Sequence, residues 1–317
     1  MSSILQVKGV TKRYSNHLAL NNVSIEVANK SVFGLLGPNG AGKTSLIRII
    51  NQITGPDSGE VLFMGEKLQE KHIERIGYLP EERGLYKKMS VAEQVLYLAR
   101  LKGLSRPEAK KRMALWFEKF EMQGWMKKKI EELSKGMQQK VQFIVTVIHE
   151  PDLLILDEPF SGFDPINAQM IRNEILELRN KGATVIFSTH NMGSVEEMCD
   201  HIALLNKSEK ILDGSVKQIR KTYRSNTYKI SFRGSAMGFT HALWTGAELI
   251  EKHQEDDVFT FTLKLMNNFK PNHLLEVVLP TSEILSFQEI IPSMNDIFIM
   301  KVNEENGILG TKSNYTE

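Results

Sequence analysis

The sequence has 317 residues, enough for two domains, because a single hydrophobic core rarely grows beyond ~250–300 residues. Hydrophobic residues make up 41% and charged residues 25%, so the chain can bury an ordinary core. The net charge of +2 gives no overall field that would favour nucleic acid as a partner, and the single cysteine, Cys199, excludes an internal disulfide and fits a reducing cytosol.

No stretch of the sequence approaches the ~18 consecutive apolar residues that a membrane-spanning helix needs. The longest candidate, 143–148, is too short and lies inside a helical pattern. The first residues lack the basic and apolar segments of a signal peptide. We therefore expect a cytoplasmic chain that reaches the inner face of the cell membrane only through another protein.

The N-terminal part of the chain alternates predicted strands with helices. Residues 4–10 and 23–28 have the β-branched and aliphatic composition of short strands. The apolar run 31–36 is typical of a strand buried on both faces of a sheet. Aliphatic residues then recur at helical spacing and predict a helix over 43–53.

A glycine-rich segment joins that buried strand to that helix and matches the pattern G-x-x-x-x-G-K-[ST]. Glycines let the backbone approach an oxyanion, and successive N–H groups with the helix N-terminus form an anion site. Lys43 adds a positive charge for the β- and γ-phosphates, and the Thr44 hydroxyl is a ligand for Mg²⁺. The alternative is a glycine-rich turn that binds nothing, which the flanking strand and helix disfavour. The predicted phosphate-binding residues are Gly37, Pro38, Asn39, Gly40, Ala41, Gly42, Lys43, Thr44 and Ser45.

A later apolar strand, predicted over 153–156, delivers two carboxylates at its carboxyl end. Ligands of open α/β sheets collect at that edge. Asp157 is suited to hold Mg²⁺ through its water shell, and Glu158 to polarise a water for attack on the γ-phosphate. Alone, such an Asp-Glu pair is more often the start of a solvated loop. Together with the glycine-rich segment it favours catalysis, with Lys43 and Glu158 as catalytic residues.

A mainly helical insertion, about 86–149, is predicted between these two motifs. Ser90 and Glu93 have the spacing of a capping box at its first helix. After the carboxylates, a helical segment leads to another predicted strand over 183–188. The helices predicted in the insertion cover 90–102, 106–120 and 136–149.

After about residue 220 the pattern changes to that of a small α+β domain. We therefore predict two domains, 1–220 and 221–317, with a polar tail from residue 303 that is expected to fray. The smaller domain could aid dimerisation, sense a ligand or clamp the larger domain, and we favour dimer contacts. Its predicted strands are 228–232, 258–265 and, from weaker signals, 246–252 and 284–289, and its predicted helices are 271–278 and 292–301.

Three further segments narrow the choice among phosphate-loop enzymes. Residues 133–137, Leu-Ser-Lys-Gly-Met, resemble the LSGGQ signature of ABC ATPases, and residues 161–164, Ser-Gly-Phe-Asp, resemble their D-loop. Thr189 and His190 close a strand where the switch histidine of that family lies. The resemblance covers residues 4 to about 215 in the correct order. It implies an α/β ABC cassette with a RecA-like core, an antiparallel β subdomain and a helical insertion, followed here by a small C-terminal α+β domain.

The resemblance also implies roles for single residues. The helix N-terminus at Ser134 and Gly136 would close over ATP bound to an opposite subunit, so hydrolysis would require a head-to-tail dimer, expected to be a homodimer. His190 would contact the γ-phosphate and orient Glu158 as a third catalytic residue. Asp164 would bridge the two subunits.

The sequence departs from the family pattern at three positions. Glu81 stands where the family usually has glutamine, and its carboxylate can still reach Mg²⁺ or its waters, so we expect it to bind metal and nucleotide. Lys135 and Met137 replace the first glycine and the glutamine of the signature, while Gly136 is kept, and we expect ATPase activity to survive.

Tyr14 matches the aromatic residue that stacks on adenine in this family.

The combined pattern of 80–86 and 133–137 resembles a branch that includes sodium-export ATP-binding subunits and often carries a C-terminal accessory domain. We therefore expect an ATP- and Mg²⁺-dependent ATPase subunit of an ABC transporter, an exporter, acting on a separate membrane-spanning chain. Sodium is an analogy from motif. One alternative is a soluble ABC ATPase acting on ribosomes or nucleic acid, which the single cassette and lack of heptads disfavour. The other is a non-hydrolysing regulatory cassette, which the complete set of catalytic residues disfavours.

Overall fold

The computed structural model describes residues 2–82, 84–242, 246–266 and 269–306. These residues form two compact units, one made of 2–216 together with 301–306 and the other of Lys217–Met300. Among the described residues, no helix combines the length and the apolar composition needed to cross a bilayer.

The first 79 residues contain the strands and the helix that flank the glycine-rich segment. In chain order they are β1 (Ser3–Tyr14), β2 (His17–Ala28), β3 (Val32–Leu36), α1 (Lys43–Ile50), β4 (Ser58–Phe63), β5 (Glu66–Lys67) and β6 (Ile76–Leu79). Strands β2, β1, β4 and β5 form an antiparallel sheet in that order. A short 3-10 helix, Glu70–Arg75, leads into β6.

The predicted helical insertion is confirmed. Its helices are α2 (Val91–Leu101), α3 (Arg106–Lys119) and α4 (Lys135–Val147). Each begins after a serine, Ser90, Ser105 or Ser134, whose side chain accepts a hydrogen bond from the backbone N–H three residues on. Ser90 and Glu93 form the predicted capping box at the start of α2.

The central sheet of the first unit is completed by the elements that follow the insertion. They are β7 (Leu153–Asp157), α5 (Pro165–Asn180), β8 (Thr184–Ser188), α6 (Met192–Met198), β9 (His201–Asn206) and β10 (Glu209–Ser215). The strand order is β10–β9–β3–β8–β7–β6, and neighbours are parallel except β10, which runs antiparallel to β9. Every residue of β3, β7 and β8 is buried, as their apolar runs predict. The carboxyl ends of these parallel strands meet at one edge, where both predicted motifs lie.

One apolar core joins the antiparallel sheet, α1 and the central sheet. Leu5 and Phe63 from the first sheet, Leu46 and Ile50 from α1, and Phe33 from the central sheet belong to a single buried cluster. Burying side chains of this size stabilises the fold by roughly 1.5–3 kcal/mol each. Packing of its apolar face therefore fixes α1 beneath the glycine-rich segment.

The helix predicted over 43–53 is wrong for its last three residues. The Asn51 side chain donates a hydrogen bond of 2.9 Å to the Ile47 carbonyl and closes the last turn. Gln52 then has a left-handed backbone with φ of +55°, which cannot continue an α-helix. Ile53 is 61% exposed, so the apolar spacing that predicts a longer helix continues to a residue three positions beyond the end of the helix.

The remaining elements include the C-terminal sheet. They are α7 (Val216–Thr222), β11 (Thr227–Gly234), α8 (Ala236–Ala242), β12 (Ala247–Glu255), β13 (Val258–Leu265), α9 (Pro271–Val278), β14 (Ser282–Ile290) and α10 (Met294–Glu305). The sheet is antiparallel in the order β12–β13–β11–β14. Phe232 of β11, Phe261 of β13, Phe239 of α8 and Leu274 of α9 are buried together, with the Phe232 and Phe239 rings stacked 4.2 Å apart. All four predicted strands and the helix 271–278 are confirmed.

The last helix differs from its prediction at both ends. It starts at Met294 because Ser293 caps it, and the Asp296 carboxylate accepts hydrogen bonds from the Ser293 backbone N–H and hydroxyl. It continues to Glu305, so the predicted fraying is wrong for 303–305. The rest of the predicted polar tail, 307–317, lies outside the described residues.

Candidate active site

The glycine-rich segment follows β3 at the carboxyl edge of the central sheet. Gly37 and Gly42 have φ angles of +148° and +109°, which L side chains rarely adopt. A Cβ atom would lie 2.3 Å from the Leu205 carbonyl oxygen at Gly37, and 2.4 Å from that of Ala19 at Gly42. Close approach of neighbouring backbone therefore requires glycine at both positions. The turn between them contains the other predicted phosphate-binding residues Pro38, Asn39, Gly40 and Ala41.

Lys43 is the first residue of α1, and its side chain folds back over the glycine-rich turn. Its Nζ donates hydrogen bonds of 2.6 Å to the Gly37 carbonyl and 3.1 Å to the Pro38 carbonyl. Thr44 and Ser45 follow in the first turn of the helix, where Thr44 is exposed and Ser45 half-buried. The loop, the ammonium group and the first-turn hydroxyls therefore share one end of α1.

Three carboxylates lie close enough to Lys43 for their charges to affect its pKa. Burial lowers the pKa of Lys43, and the negative charges of Asp157, Glu158 and Glu81 oppose that shift. Burial also raises the pKa of Asp157, which is 6% exposed, and the charges of Glu81 and Glu158 raise it further. The sheet edge thus holds more negative than positive side-chain charge, which favours a divalent cation there.

The donor set fits a magnesium ion that is bound together with a nucleotide. Among the described residues, no three Asp, Glu, His or Cys side chains converge closely enough to enclose a metal by themselves. Mg²⁺ does not need such a cage, because it is usually held by one or two carboxylates, waters and substrate phosphates. Asp157, Glu81 and the Thr44 hydroxyl offer hard oxygen ligands of this kind beside the Lys43 loop.

The Glu158 carboxylate is held by the segment that follows β8. Its Oε1 accepts a hydrogen bond of 2.9 Å from the His190 backbone N–H and lies 2.7 Å from His190 Nδ1, while Oε2 accepts one of 3.1 Å from the Thr189 hydroxyl. An ionised carboxylate only accepts, so Nδ1 carries the proton. The Glu158 side chain is 16% exposed and that of His190 79%, so the pair opens to solvent on the histidine side.

Glu158 also has a strained backbone. Its φ of +47° is left-handed, a conformation that costs a residue other than glycine on the order of 1–3 kcal/mol. Its N–H donates 2.9 Å to the Ser188 carbonyl, so pairing between the chains of β7 and β8 extends one residue past β7. Strain of this kind concentrates at functional sites, and here it turns the chain so that the carboxylate meets His190.

The turn at Ser134 begins α4 and faces outward. The Ser134 hydroxyl accepts a 3.3 Å hydrogen bond from the Met137 N–H, and Ser134 and Lys135 are exposed while Gly136 is half-buried. A Cβ at Gly136 would meet no atom of the described chain within 4 Å. The described residues therefore supply no steric reason for glycine there. A surface outside the chain would supply one, and the predicted closure over a second subunit stays a prediction.

Asp164 has a clear role within the chain. Its Oδ1 accepts hydrogen bonds of 3.0 Å from the Ile166 and Asn167 backbone N–H groups, so it caps α5, and the bond from Asn167 lowers its pKa most. The Gln139 side chain on α4 donates to the Ser161 carbonyl, which connects the signature helix to the segment before Asp164. Bridging of two subunits by Asp164 stays a prediction.

Tyr14 and Glu81 lie at the ends of their strands. Tyr14 ends β1 and is 37% exposed, with the Lys12 Nζ 5.4 Å from the ring centroid. Glu81 follows β6, is exposed, and lies close enough for its charge to act on Lys43 and Asp157. Glu81 therefore shares the edge with the predicted metal ligands, whereas stacking of Tyr14 on adenine stays a prediction.

Sequence reasoning misses two polar side chains beside the site. Thr189, 2% exposed, donates to Glu158, but the motif gives it no role. Gln142, 4% exposed, lies on α4 and its Nε2 donates to the Pro80 and Glu82 carbonyls at 3.3 and 3.5 Å. The sequence signal for Gln142 is a polar residue on the apolar face of a predicted helix.

Comparison with protein-family models finds two matched regions. Residues 20–161 match the ABC transporter model, and residues 214–302 match the model for the C-terminal domain of DrrA1-3-like ATP-binding proteins. The first region contains the glycine-rich segment, the signature turn and both carboxylates. The second contains the sheet β12–β13–β11–β14.

Individual proteins extend these matches over most of the chain. The uncharacterized ABC transporter ATP-binding protein YhaQ of Bacillus subtilis is 37% identical over 305 residues, which is 94% of this chain and 98% of YhaQ. The Nod factor export ATP-binding protein I of Cupriavidus metallidurans is 32% identical over 222 residues, 69% of this chain and 73% of that protein. A solved ATP-binding subunit of an ABC transporter has a TM-score of 0.66 and 29% identity, covering 70% of this chain and 93% of that one.

These likenesses confirm the predicted fold class, an α/β P-loop cassette with a RecA-like core and a small C-terminal α+β domain. ABC ATPases bind ATP, normally with Mg²⁺, which agrees with the loop and the oxygen ligands at the sheet edge. The similarity to YhaQ spans nearly the whole of both chains. The chain belongs to the family of ABC transporter ATP-binding proteins.

Proposed function

We propose that this chain hydrolyses ATP at the carboxyl edge of its central sheet. One observation carries the proposal: the Glu158 carboxylate, fixed by Thr189 and His190, lies where its charge acts on the Lys43 ammonium at the glycine-rich loop. A phosphate-binding loop alone would support binding. A carboxylate fixed beside that loop supports hydrolysis as well.

The glycine-rich loop binds the phosphates of ATP in this proposal. Its backbone N–H groups and the N-terminus of α1 attract negative charge, and Lys43 exchanges its carbonyl partners for the β- and γ-phosphates. Thr44, Asp157 and Glu81 are the residues that would hold Mg²⁺, which when bound neutralises charge on those phosphates. Tyr14 provides a ring for the adenine base.

Glu158 acts as the general base. Its carboxylate accepts a proton from the water that attacks the γ-phosphate, and the products are ADP and inorganic phosphate. The hydrogen bonds from Thr189 and His190 keep the carboxylate in one orientation, which matters because a misplaced base loses catalytic power steeply. His190 is exposed enough to contact the γ-phosphate as well.

Two copies of the chain share each nucleotide in this proposal. The exposed Ser134 and the half-buried Gly136 of one copy, at the N-terminus of α4, close over ATP held by the Lys43 loop of the other. Asp164 lies on the segment that Gln139 connects to α4, so it follows the movement of that turn. A homodimer is the simplest arrangement, since one chain carries both halves of the site.

The ATPase is proposed to drive export through a separate membrane-spanning chain. Membership of the ABC transporter family supports the partner, and one relative is named as a Nod factor export protein. The chain would then be cytoplasmic and peripheral on the inner face of the cell membrane. Sodium is the cargo that the sequence pattern of 80–86 and 133–137 favours by analogy.

Replacing Glu158 by glutamine tests the general base. We expect Glu158→Gln to slow phosphate release by about 10²–10⁴-fold, the usual contribution of a positioned base, with ATP binding retained. An ATP-bound dimer should accumulate and elute early in size-exclusion chromatography. Glu150→Gln is a matched control, because Glu150 also has a left-handed backbone but precedes β7 at its opposite end. Unchanged turnover in Glu158→Gln would exclude Glu158 as the base.

Replacing Lys43 by alanine tests the phosphate site. We expect Lys43→Ala to weaken ATP binding at least about tenfold, because an ionic hydrogen bond contributes about 1.5–3 kcal/mol. Isothermal titration calorimetry measures this directly. The exposed Lys181, which pairs with Glu177, gives a control variant, Lys181→Ala. Wild-type affinity in Lys43→Ala would overturn the assignment of the loop.

Isolation of the complex from membranes tests the transport partner. We expect the affinity-tagged chain, solubilised with a mild detergent from its own cells, to carry an integral membrane protein identifiable by mass spectrometry. That protein should also stimulate ATP turnover when reconstituted with the chain in liposomes. Recovery of the chain with ribosomes or nucleic acid instead would contradict the export proposal and support a different ABC ATPase.

A further inference from the structure

The residues on either side of Glu81 are held by one buried side chain, that of Gln142, through their backbone carbonyls. Gln142 Nε2 donates to the Pro80 carbonyl at 3.3 Å and to the Glu82 carbonyl at 3.5 Å. Of the two ends of the Gln142 amide, the NH₂ group donates and the oxygen accepts. The two carbonyl contacts therefore require the NH₂ group to face the loop. With 4% of its surface exposed, Gln142 holds this position away from competing water.

The contact joins parts of the chain that are 60 residues or more apart in sequence. Gln142 lies on α4, whose first turn contains Ser134 and Gly136. One turn after Gln142, Thr146 lies with its hydroxyl 2.9 Å from the Gln142 carbonyl and 3.4 Å from the Tyr78 carbonyl of β6. Helix α4 therefore contacts the chain both in β6 and in the loop after it.

The strand before this loop packs closely against α4. A Cβ at Gly77 would lie 2.5 Å from the Thr146 carbonyl oxygen, so the backbones of β6 and α4 are nearly in contact. The second end of the loop is held from α2, where the Gln94 Oε1 accepts a 2.8 Å hydrogen bond from the Tyr86 N–H. Gln94 is buried as well, with none of its surface exposed. Two buried amides of the helical insertion thus hold the loop on either side of its exposed part.

We propose that Gln142 is a positioning residue that sets the distance of Glu81 from the metal-binding residues according to the position of α4. A neutral amide suits this role, since it satisfies two carbonyls without burying a charge. When α4 moves with its Ser134 turn, Gln142 carries the backbone around Glu81 with it. The metal site thereby senses the signature turn of its own chain. This inference rests on the proposed function, because it takes Glu81 as a metal ligand.

The test compares Gln142→Met, Glu81→Ala and the double variant in the full-length protein. Methionine keeps the length and volume of the side chain but removes the N–H donors. Affinity for Mn²⁺ is measured by electron paramagnetic resonance of the free ion, with a non-hydrolysable ATP analogue bound. Nucleotide affinity in EDTA and the Mg²⁺ dependence of ATP turnover are measured alongside. Gln169→Met is the matched control, because the hydrogen bonds of the Gln169 amide within the described part of the chain are to Asn173 and Arg172 of its own helix.

We expect Gln142→Met to weaken Mn²⁺ binding about three- to tenfold, as loss of one neutral hydrogen bond would, while nucleotide affinity in EDTA stays unchanged. Glu81→Ala should weaken Mn²⁺ binding at least as much, and the double variant no further than Glu81→Ala alone, since Gln142 acts through Glu81. Gln169→Met should behave as the wild type. If Gln142→Met lowers the melting temperature too far for the measurement, Gln142→Asn, which keeps the amide but is too short to reach, replaces it.

The outcomes separate this inference from the proposed function. Unchanged Mn²⁺ affinity in Gln142→Met, or independent and multiplying effects in the double variant, would overturn the positioning role while leaving the ATP site intact. A wild-type response of Glu81→Ala would remove Glu81 from the metal and this inference with it. Lack of nucleotide binding by the wild type would instead overturn the proposed function itself.

Discussion

The site depends on one electrostatic constraint: a partly buried ammonium group surrounded by carboxylates at the edge of a parallel sheet. Lys43 is held by its own loop, and the charges of Asp157, Glu158 and Glu81 all act on it. Burial raises the pKa of Asp157 while neighbouring carboxylates add to that effect, so the edge is short of positive charge. In the proposed function, a magnesium ion bound with a polyphosphate would supply cationic charge to the carboxylates and anionic charge to Lys43, so the proposal requires both motifs at one edge.

The second half of the proposed site, the turn of Ser134 and Gly136, differs from the glycine-rich loop in how its glycine is surrounded. Gly37 and Gly42 are glycine because neighbouring backbone lies too close for a side chain, whereas no described atom lies near a Cβ at Gly136. The exposed Ser134 turn is also connected inward, through Gln139 to the Ser161 segment and through Gln142 to the backbone around Glu81. In the proposed dimer, a turn connected both to the Ser161 segment and to the backbone around Glu81 is suited to sensing whether an opposite subunit has closed.

Sequence predicted the parts of this protein that local rules govern. Apolar runs predicted β3, β7 and β8, and the Ser90–Glu93 capping box predicted the start of α2. The two motifs predicted that Lys43 and Asp157-Glu158 meet at one sheet edge, where the structure has them, and their binding of phosphate and metal stays a prediction. What it could not provide depends on contacts distant in sequence. The left-handed backbone at Glu158, the bond from Thr189 and the bonds of Gln142 to residues 80 and 82 follow from strand order, which no local pattern encodes. The sequence also did not predict that α1 ends at Ile50, because Ile53 continues the apolar spacing although it is exposed.

The most direct measurement of a nucleotide shared between two copies is a mixing experiment with two inactive variants. Lys43→Ala removes the phosphate ammonium, and Gly136→Asp places a negative charge on the signature turn where the chain itself offers room for it. Each variant alone should hydrolyse no ATP. An equimolar mixture should recover up to about one quarter of wild-type turnover, because half of random head-to-tail pairs are mixed and each mixed pair contains one intact site of two. If the mixture stays inactive while both variants are folded and dimerise, or if Gly136→Asp alone keeps full activity, nucleotide is not shared between copies in the way proposed here.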